Sequence, residues 1–177
     1  TLPLQLAGNV RRGGLVERAF GLTLRELLYE YGGGSASGRP IRAVQIGGPL
    51  GAYLPASRFD TPLEYEALAG IGAMLGHGGV VVFDDTVDML AMARYALEFC
   101  AHESCGKCAP CRIGSVRGAE ALERVATGVN RDGNLALVEE LCDTMVNASL
   151  CGLGGMTPHP VLSAMRHFGE DFGRKNS

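Results

Sequence analysis

Three cysteines stand two residues apart in Cys105-Gly106-Lys107-Cys108-Ala109-Pro110-Cys111, and a fourth, Cys151, opens the glycine-rich stretch Cys151-Gly152-Leu153-Gly154-Gly155. Thiolates at this C-x2-C-x2-C spacing on a turning backbone can reach three corners of one small iron-sulfur cube, and a remote cysteine then closes the fourth. The spacing therefore points to a [4Fe-4S] site held by Cys105, Cys108, Cys111 and Cys151. Four thiolates also fit the tetrahedral shell of zinc, but structural zinc sites usually bring two separated C-x2-C pairs rather than a consecutive triplet. A structural zinc scaffold that binds a partner is the alternative of another class. A free-standing ligand-binding protein with incidental cysteines is a further one.

The residues around the triplet suit a cluster whose sulfurs accept backbone hydrogen bonds. Gly106 allows a tight turn beside the metal and leaves its N–H unobstructed, and Gly152, Gly154 and Gly155 can do the same around Cys151. Lys107 and Arg112 add positive charge, which stabilises thiolates and an anionic cluster; both also fit a solvated surface. Cys142 is read as a small buried hydrophobe on a helix, and Cys100 lies on a helix face before the loop. Cys151 has no such packing explanation, so it is preferred as the fourth ligand. His77, His102, His159 and His167 are read as surface or packing residues.

Helices must position this loop. Pro110 suits the first turn of a helix reaching about Ala126, with Ile113, Val116, Leu122 and Val125 facing inward. The triplet then sits at a helix N-terminus, where partial positive charge favours thiolates. Before it, Asp84, Asp85 and Thr86 offer caps for a helix to about Ala101, with Met89, Ala93, Ala96 and Cys100 along one stripe. After it, a helix capped by Asn134 is expected to reach about Asn147, burying Leu135, Val138, Leu141, Cys142 and Met145. Pro158 or Pro160 starts a last short helix carrying Val161, Leu162, Met165 and Phe168.

The first half reads as a compact mixed unit. Leu4 to Val10 is expected to be a strand that turns at Arg11-Arg12-Gly13-Gly14 and returns through Leu15-Val16. Thr23-Leu24-Arg25-Glu26 has the form of a capping box, opening a helix whose Leu24, Leu27, Leu28 and Tyr31 share a face until Gly32-Gly33-Gly34. Strands follow at Ile41 to Ile46 and at Val80-Val81-Val82-Phe83, the latter expected to be buried on both faces. Gly70-Ile71-Gly72-Ala73-Met74-Leu75-Gly76 looks superficially like a dinucleotide fingerprint. It precedes a strand and its third glycine is one residue late, so it is read as a structural loop.

Composition sets wider limits. At 177 residues and 46% hydrophobic, the chain can bury a real core in one or two small domains. No basic run or basic stripe with interleaved aromatics suggests nucleic acid. No apolar stretch approaches the roughly 20 residues that span a bilayer, so no membrane insertion is expected. With no charged-then-apolar leader at its start, the chain is expected in a reducing cytoplasm, where six cysteines point to metal rather than disulfides.

The run from Glu103 to Gly114, with Ser149-Leu150-Cys151-Gly152-Leu153-Gly154 downstream, resembles the iron-sulfur domain of the NADH-oxidising flavoprotein subunits. These include the flavoprotein subunit of respiratory complex I, the diaphorase subunit of NAD-reducing hydrogenases and the beta subunit of cytoplasmic NAD-dependent formate dehydrogenases. The flanking segments Val81 to Met89, Ala93 to Cys100 and Gly155 to Pro158 are most similar to the formate dehydrogenase subunit. Residues up to about Phe83 resemble the β-grasp (ubiquitin-like, SLBB) domain that precedes the helical domain in this group.

The resemblance implies an α+β fold with a β-grasp domain over 1-83 and a helical [4Fe-4S] domain over 84-177. It implies Cys105, Cys108, Cys111 and Cys151 as ligands, with FMN and NAD(H) held by an upstream domain whose glycine-rich flavin loop has no counterpart in this sequence. The segment by itself is therefore not expected to oxidise NADH. The implied function is a relay of single electrons between that flavin and partner subunits, with no catalytic acid, base or nucleophile in this segment. The implied partners are a 2Fe-2S thioredoxin-like iron-sulfur subunit and a catalytic subunit, formate dehydrogenase being favoured over complex I or hydrogenase.

Overall fold

A computed structural model describes residues 1–173 and divides the chain into two compact units, Thr1–Val87 and Asp88–Ser177. The first unit is built on a five-stranded sheet. Its strands are β1 (Leu2–Gly8), β2 (Gly14–Arg18), β3 (Ile41–Ile46), β4 (Ala52–Pro55) and β5 (Gly79–Asp84), in the order β2-β1-β5-β3-β4. β1 and β5 run parallel and the remaining neighbours antiparallel, which is the β-grasp arrangement. The expected hairpin forms with Leu4 opposite Val16, although β1 begins and ends two residues earlier than the apolar pattern suggests.

The sheet closes over α1 (Leu24–Glu26) and the π-helical turn Leu27–Tyr31 that continues it. Thr23 Oγ1 accepts from the Glu26 N–H at 3.2 Å while the Glu26 carboxylate accepts from the Thr23 N–H at 2.8 Å, so the capping box forms as the sequence indicates. Leu24, Leu27 and Leu28 are fully buried against Leu4, Leu6, Val44, Ile46, Val80 and Val82. β5 is not buried on both faces, as the apolar run suggested. Val80 and Val82 point into the core, while Val81 and Phe83 are half-buried on the other side, where Phe83 meets Tyr53 edge-on at 5.9 Å. Strand β4 and the short α2 (Tyr65–Gly70) were not foreseen; the loop after α2 is the glycine stretch read as structural.

Asp84 does not cap a helix. It ends β5, where its carboxylate accepts from the Thr86 hydroxyl at 2.6 Å, the Ser37 hydroxyl at 2.7 Å, the Thr86 N–H at 3.0 Å and the Asn9 amide. These donors, the Thr86 hydroxyl first, hold its carboxyl down at about 2, against an ordinary 3.8. A depressed folded value means that the stabilisation is complete above the ordinary value and is lost as pH falls from 3.8 toward about 2. Asp84→Asn is therefore expected to lower the melting temperature of the sheet unit at neutral pH and to flatten its acid-side loss of stability. Thermal melts followed by circular dichroism over that pH window check both effects.

The second unit is helical, comprising α3 (Met89–Glu103), α4 (Ala109–Ala126), α5 (Arg131–Ala148), α6 (Gly152–Met156) and α7 (Pro158–His167). The cap of α3 is Asp88, which accepts from the Leu90 N–H at 2.9 Å and the Ala91 N–H at 3.3 Å, so the helix starts later than Asp84. Its stripe of Met89, Ala93, Ala96 and Cys100 is buried as expected. On α4 the inward face differs from the apolar pattern: Leu122 and Val125 are buried, but Ile113 and Val116 are exposed. Gly114 and Gly118 take the inner positions because neighbouring side chains occupy the space a Cβ would need, Met145 Cγ at 2.9 Å and Leu97 Cδ1 at 3.0 Å. The small residues let the helices approach closely.

Asn134 lies inside α5 rather than at its cap. Its amide donates to Val129 O at 2.8 Å and Asn130 O at 3.0 Å and accepts from Arg124 Nε at 2.8 Å, closing the α4–α5 turn. Leu135, Val138, Cys142 and Met145 are buried on α5, and Val161, Met165 and Phe168 are buried on and just after α7. Among the described residues no helix is long and apolar enough to cross a membrane.

Candidate metal centre

The triplet occupies the α3–α4 connection. Gly106 adopts φ +74, a left-handed conformation that a side chain would strain, and this reverses the chain between Cys105 and Cys108. The turn is tied from both sides: the Gly106 N–H donates to Ser104 Oγ at 3.3 Å and the Arg112 guanidinium donates to Gly106 O at 3.0 Å. Cys108 is the N-cap residue of α4, and Pro110 lies in the first turn, where its missing N–H costs nothing. Cys111 follows one turn in, buried, with its Sγ 3.3 Å from Ser104 Oγ. Cys105 is exposed and Cys108 half-buried.

Cys151 is the N-cap residue of α6, immediately after α5. Two observations bring its loop to the triplet. The Cys108 thiol is held below the ordinary range, first by the Leu150 N–H, next by the Cys111 N–H, and last by the charge of Arg112. A Cβ built on Gly154 would also come within 2.9 Å of Cys111 Cβ and 2.7 Å of Ser149 Cβ, so the first turns of α4 and α6 meet without room for a side chain. Among the described residues no three His, Cys, Asp or Glu side chains converge on a single-ion position. Thiols that each bind a different iron of a cube need not converge on one point.

The other two cysteines are elsewhere. Cys100 is buried on α3, where burial pushes its thiol up and Thr157 hydrogen-bonds it. Cys142 is 1% exposed and its thiol is pushed up to about 12, chiefly by burial, so it stays protonated. Cys142→Ser is expected to leave the iron content unchanged while destabilising the helical unit by about 1–3 kcal/mol, the cost of burying a hydroxyl without a partner. Iron analysis and chemical denaturation of one sample check both. Of the charged neighbours, Arg112 contacts the turn and Lys107 is solvated. His77, His102 and His159 are exposed and His167 is half-buried.

Sequence reasoning overlooked two hydroxyls, Ser104 and Ser149. The first directly precedes Cys105, a position that could have marked it. The second stands two residues before Cys151, and its closeness to Cys111 arises only when α6 folds against α4.

Residues 91–175 match the family described as the NADH-ubiquinone oxidoreductase-F iron-sulfur binding region. Over that stretch the chain is similar to the family's iron-sulfur binding region. The cofactor of the iron-sulfur region is a [4Fe-4S] cluster. Over 94% of its length the chain is 40% identical to the NADP-reducing hydrogenase subunit HndC of Solidesulfovibrio fructosivorans and 38% identical to an NADH-quinone oxidoreductase subunit of Rhizobium meliloti (strain 1021). It spans 34% and 40% of the lengths of those two relatives. The structure of an NAD+-reducing [NiFe]-hydrogenase in the air-oxidised state matches 97% of the chain with a TM-score of 0.85 at 31% identity, the match covering 29% of the hydrogenase chain.

The iron-sulfur region as folded here fits such a cluster on two counts. Its donor set is soft thiol, and the buried Ser149 hydroxyl has no hydrogen-bond partner among the described residues.

Proposed function

We propose that Cys105, Cys108, Cys111 and Cys151 hold the [4Fe-4S] cluster and that the chain is the electron-relay segment of a flavoprotein subunit in an NAD(H)-dependent oxidoreductase complex. The observation that carries this reading is the close approach of the turn after Cys151 to the triplet, where a Cβ on Gly154 would stand 2.9 Å from Cys111 Cβ. When bound, the cluster supplies one-electron transfer. The chain's own part is to hold four thiolates, to give them backbone N–H donors at Leu150 and Cys111, and to shield the Cys111 side with the buried faces of α3 and α4. Nothing in that role needs a proton-transferring side chain.

FMN and NAD(H) belong, on this reading, to a domain upstream of the segment. The partners are an iron-sulfur subunit of the 2Fe-2S thioredoxin-like type and a catalytic subunit, and the assembly works in the cytoplasm. The sheet unit is read as an SLBB-type β-grasp domain. The segments Val81 to Met89 and Ala93 to Cys100 favour a formate dehydrogenase as the host complex. A hydrogenase is the second reading, favoured by the 40% identity to HndC.

The test is to reduce the anaerobically purified native complex separately with NADH, formate and hydrogen while following the cluster by electron paramagnetic resonance. Reduction by NADH and by formate is the expected outcome. Reduction by hydrogen but not formate transfers the assignment to a hydrogenase, and failure of NADH overturns the relay role.

A further inference from the structure

Ser149 ends α5, and its N–H donates to Met145 O at 3.3 Å in the ordinary helical manner. Its hydroxyl behaves otherwise. Other helical hydroxyls of this unit turn back onto a preceding carbonyl: Ser115 onto Cys111 O at 2.8 Å, Thr144 onto Glu140 O at 2.9 Å and Thr157 onto Leu153 O at 2.7 Å. Ser149 Oγ is buried and has no partner among the described residues. A buried hydroxyl is costly when unsatisfied, so a position that keeps one needs an acceptor supplied by something else. A Cβ built on Gly154 would clash with both the Ser149 hydroxyl and Cys111 Cβ, so the orphan donor stands next to the buried corner of the cysteine set.

We propose that the Ser149 hydroxyl donates a hydrogen bond to sulfur at the Cys111 corner of the cluster and so sets its reduction potential. The inference rests on the cluster reading above and goes beyond it by adding a residue that is not a ligand. Ser104 Oγ, which accepts from the Cys111 thiol at 3.3 Å, is the hydroxyl in contact with that sulfur, whereas Ser149 Oγ has no partner among the described residues. A donor to cluster sulfur stabilises the more negative, reduced form, so removing it makes reduction harder. Alanine would delete the donor without adding bulk, and threonine would restore it.

The test is a redox titration of the native subunit, monitored by electron paramagnetic resonance, with iron analysis of each sample. In Ser149→Ala and in Ser149→Gly the reduction equilibrium is expected to fall about tenfold, which is about 59 mV for a one-electron couple, with iron content unchanged. Ser149→Thr is expected to return the potential toward the native value. Thr144→Ala, which removes an exposed hydroxyl from the same helix, is expected to shift nothing. A native potential in an iron-replete Ser149→Ala or Ser149→Gly protein overturns the inference. Absence of iron from the native subunit instead overturns the cluster reading on which it rests.

Discussion

Cys151→Ser is expected to give a protein with about three irons per chain, or none, in place of about four. Cys151 stands at the start of α6 with its side chain exposed, and no packing role competes with ligation. A serine there keeps the backbone and offers a hard hydroxyl where a soft thiolate is wanted. The loss falls on the cluster and not on the fold, because the exposed Cys151 side chain is no part of the hydrophobic core. Iron analysis with electron paramagnetic resonance separates conversion to a three-iron form from complete loss, while a far-ultraviolet spectrum equal to that of the parent shows that the helices persist. A Cys151→Ser protein retaining about four irons would remove Cys151 from the ligand set.

Gly154→Val is expected to act on both fold and cluster. Even a single Cβ would stand 2.9 Å from Cys111 Cβ and 2.7 Å from Ser149 Cβ, closer than such atoms pack. The Ser149 hydroxyl, which it would also meet, can rotate aside, but these two atoms cannot: Cys111 Cβ is fixed to the first turn of α4 and Ser149 Cβ to the end of α5. Relief therefore requires α6 to move away from α4, carrying Cys151 from the triplet. The expected result is a destabilisation of about 1–3 kcal/mol together with a several-fold fall in iron occupancy. Gly155→Ala is the matched control, since a Cβ there meets nothing within 4 Å. Equal iron in the two variants would contradict the close approach of the two helices.

What could be read from the sequence was mostly local. The Thr23–Glu26 capping box and the strand Ile41–Ile46 follow from residues within one turn or one strand of each other. The triplet was legible for the same reason, and Cys151 was separated from Cys142 because one sits among glycines and the other in a helical apolar stripe. Properties created by packing were not legible. Gly114 and Gly118 carry no hydrophobic signal, yet they form the inner face of α4 while Ile113 and Val116 face solvent. Asn134 looked like a helix cap because its preference for caps is intrinsic, but an arginine on the preceding helix gives it a place inside α5. Strand β4 has only four residues and depends on pairing with β3, so its periodicity was too short to register. Ser149 gains its place only where three helices meet.

The most direct test of the four-cysteine assignment and its cluster is metal and sulfide analysis of the native subunit purified without air. The account predicts a brown protein with about four irons and about four acid-labile sulfides per chain, and no stoichiometric zinc. A colourless protein with one zinc per chain and no sulfide would contradict it.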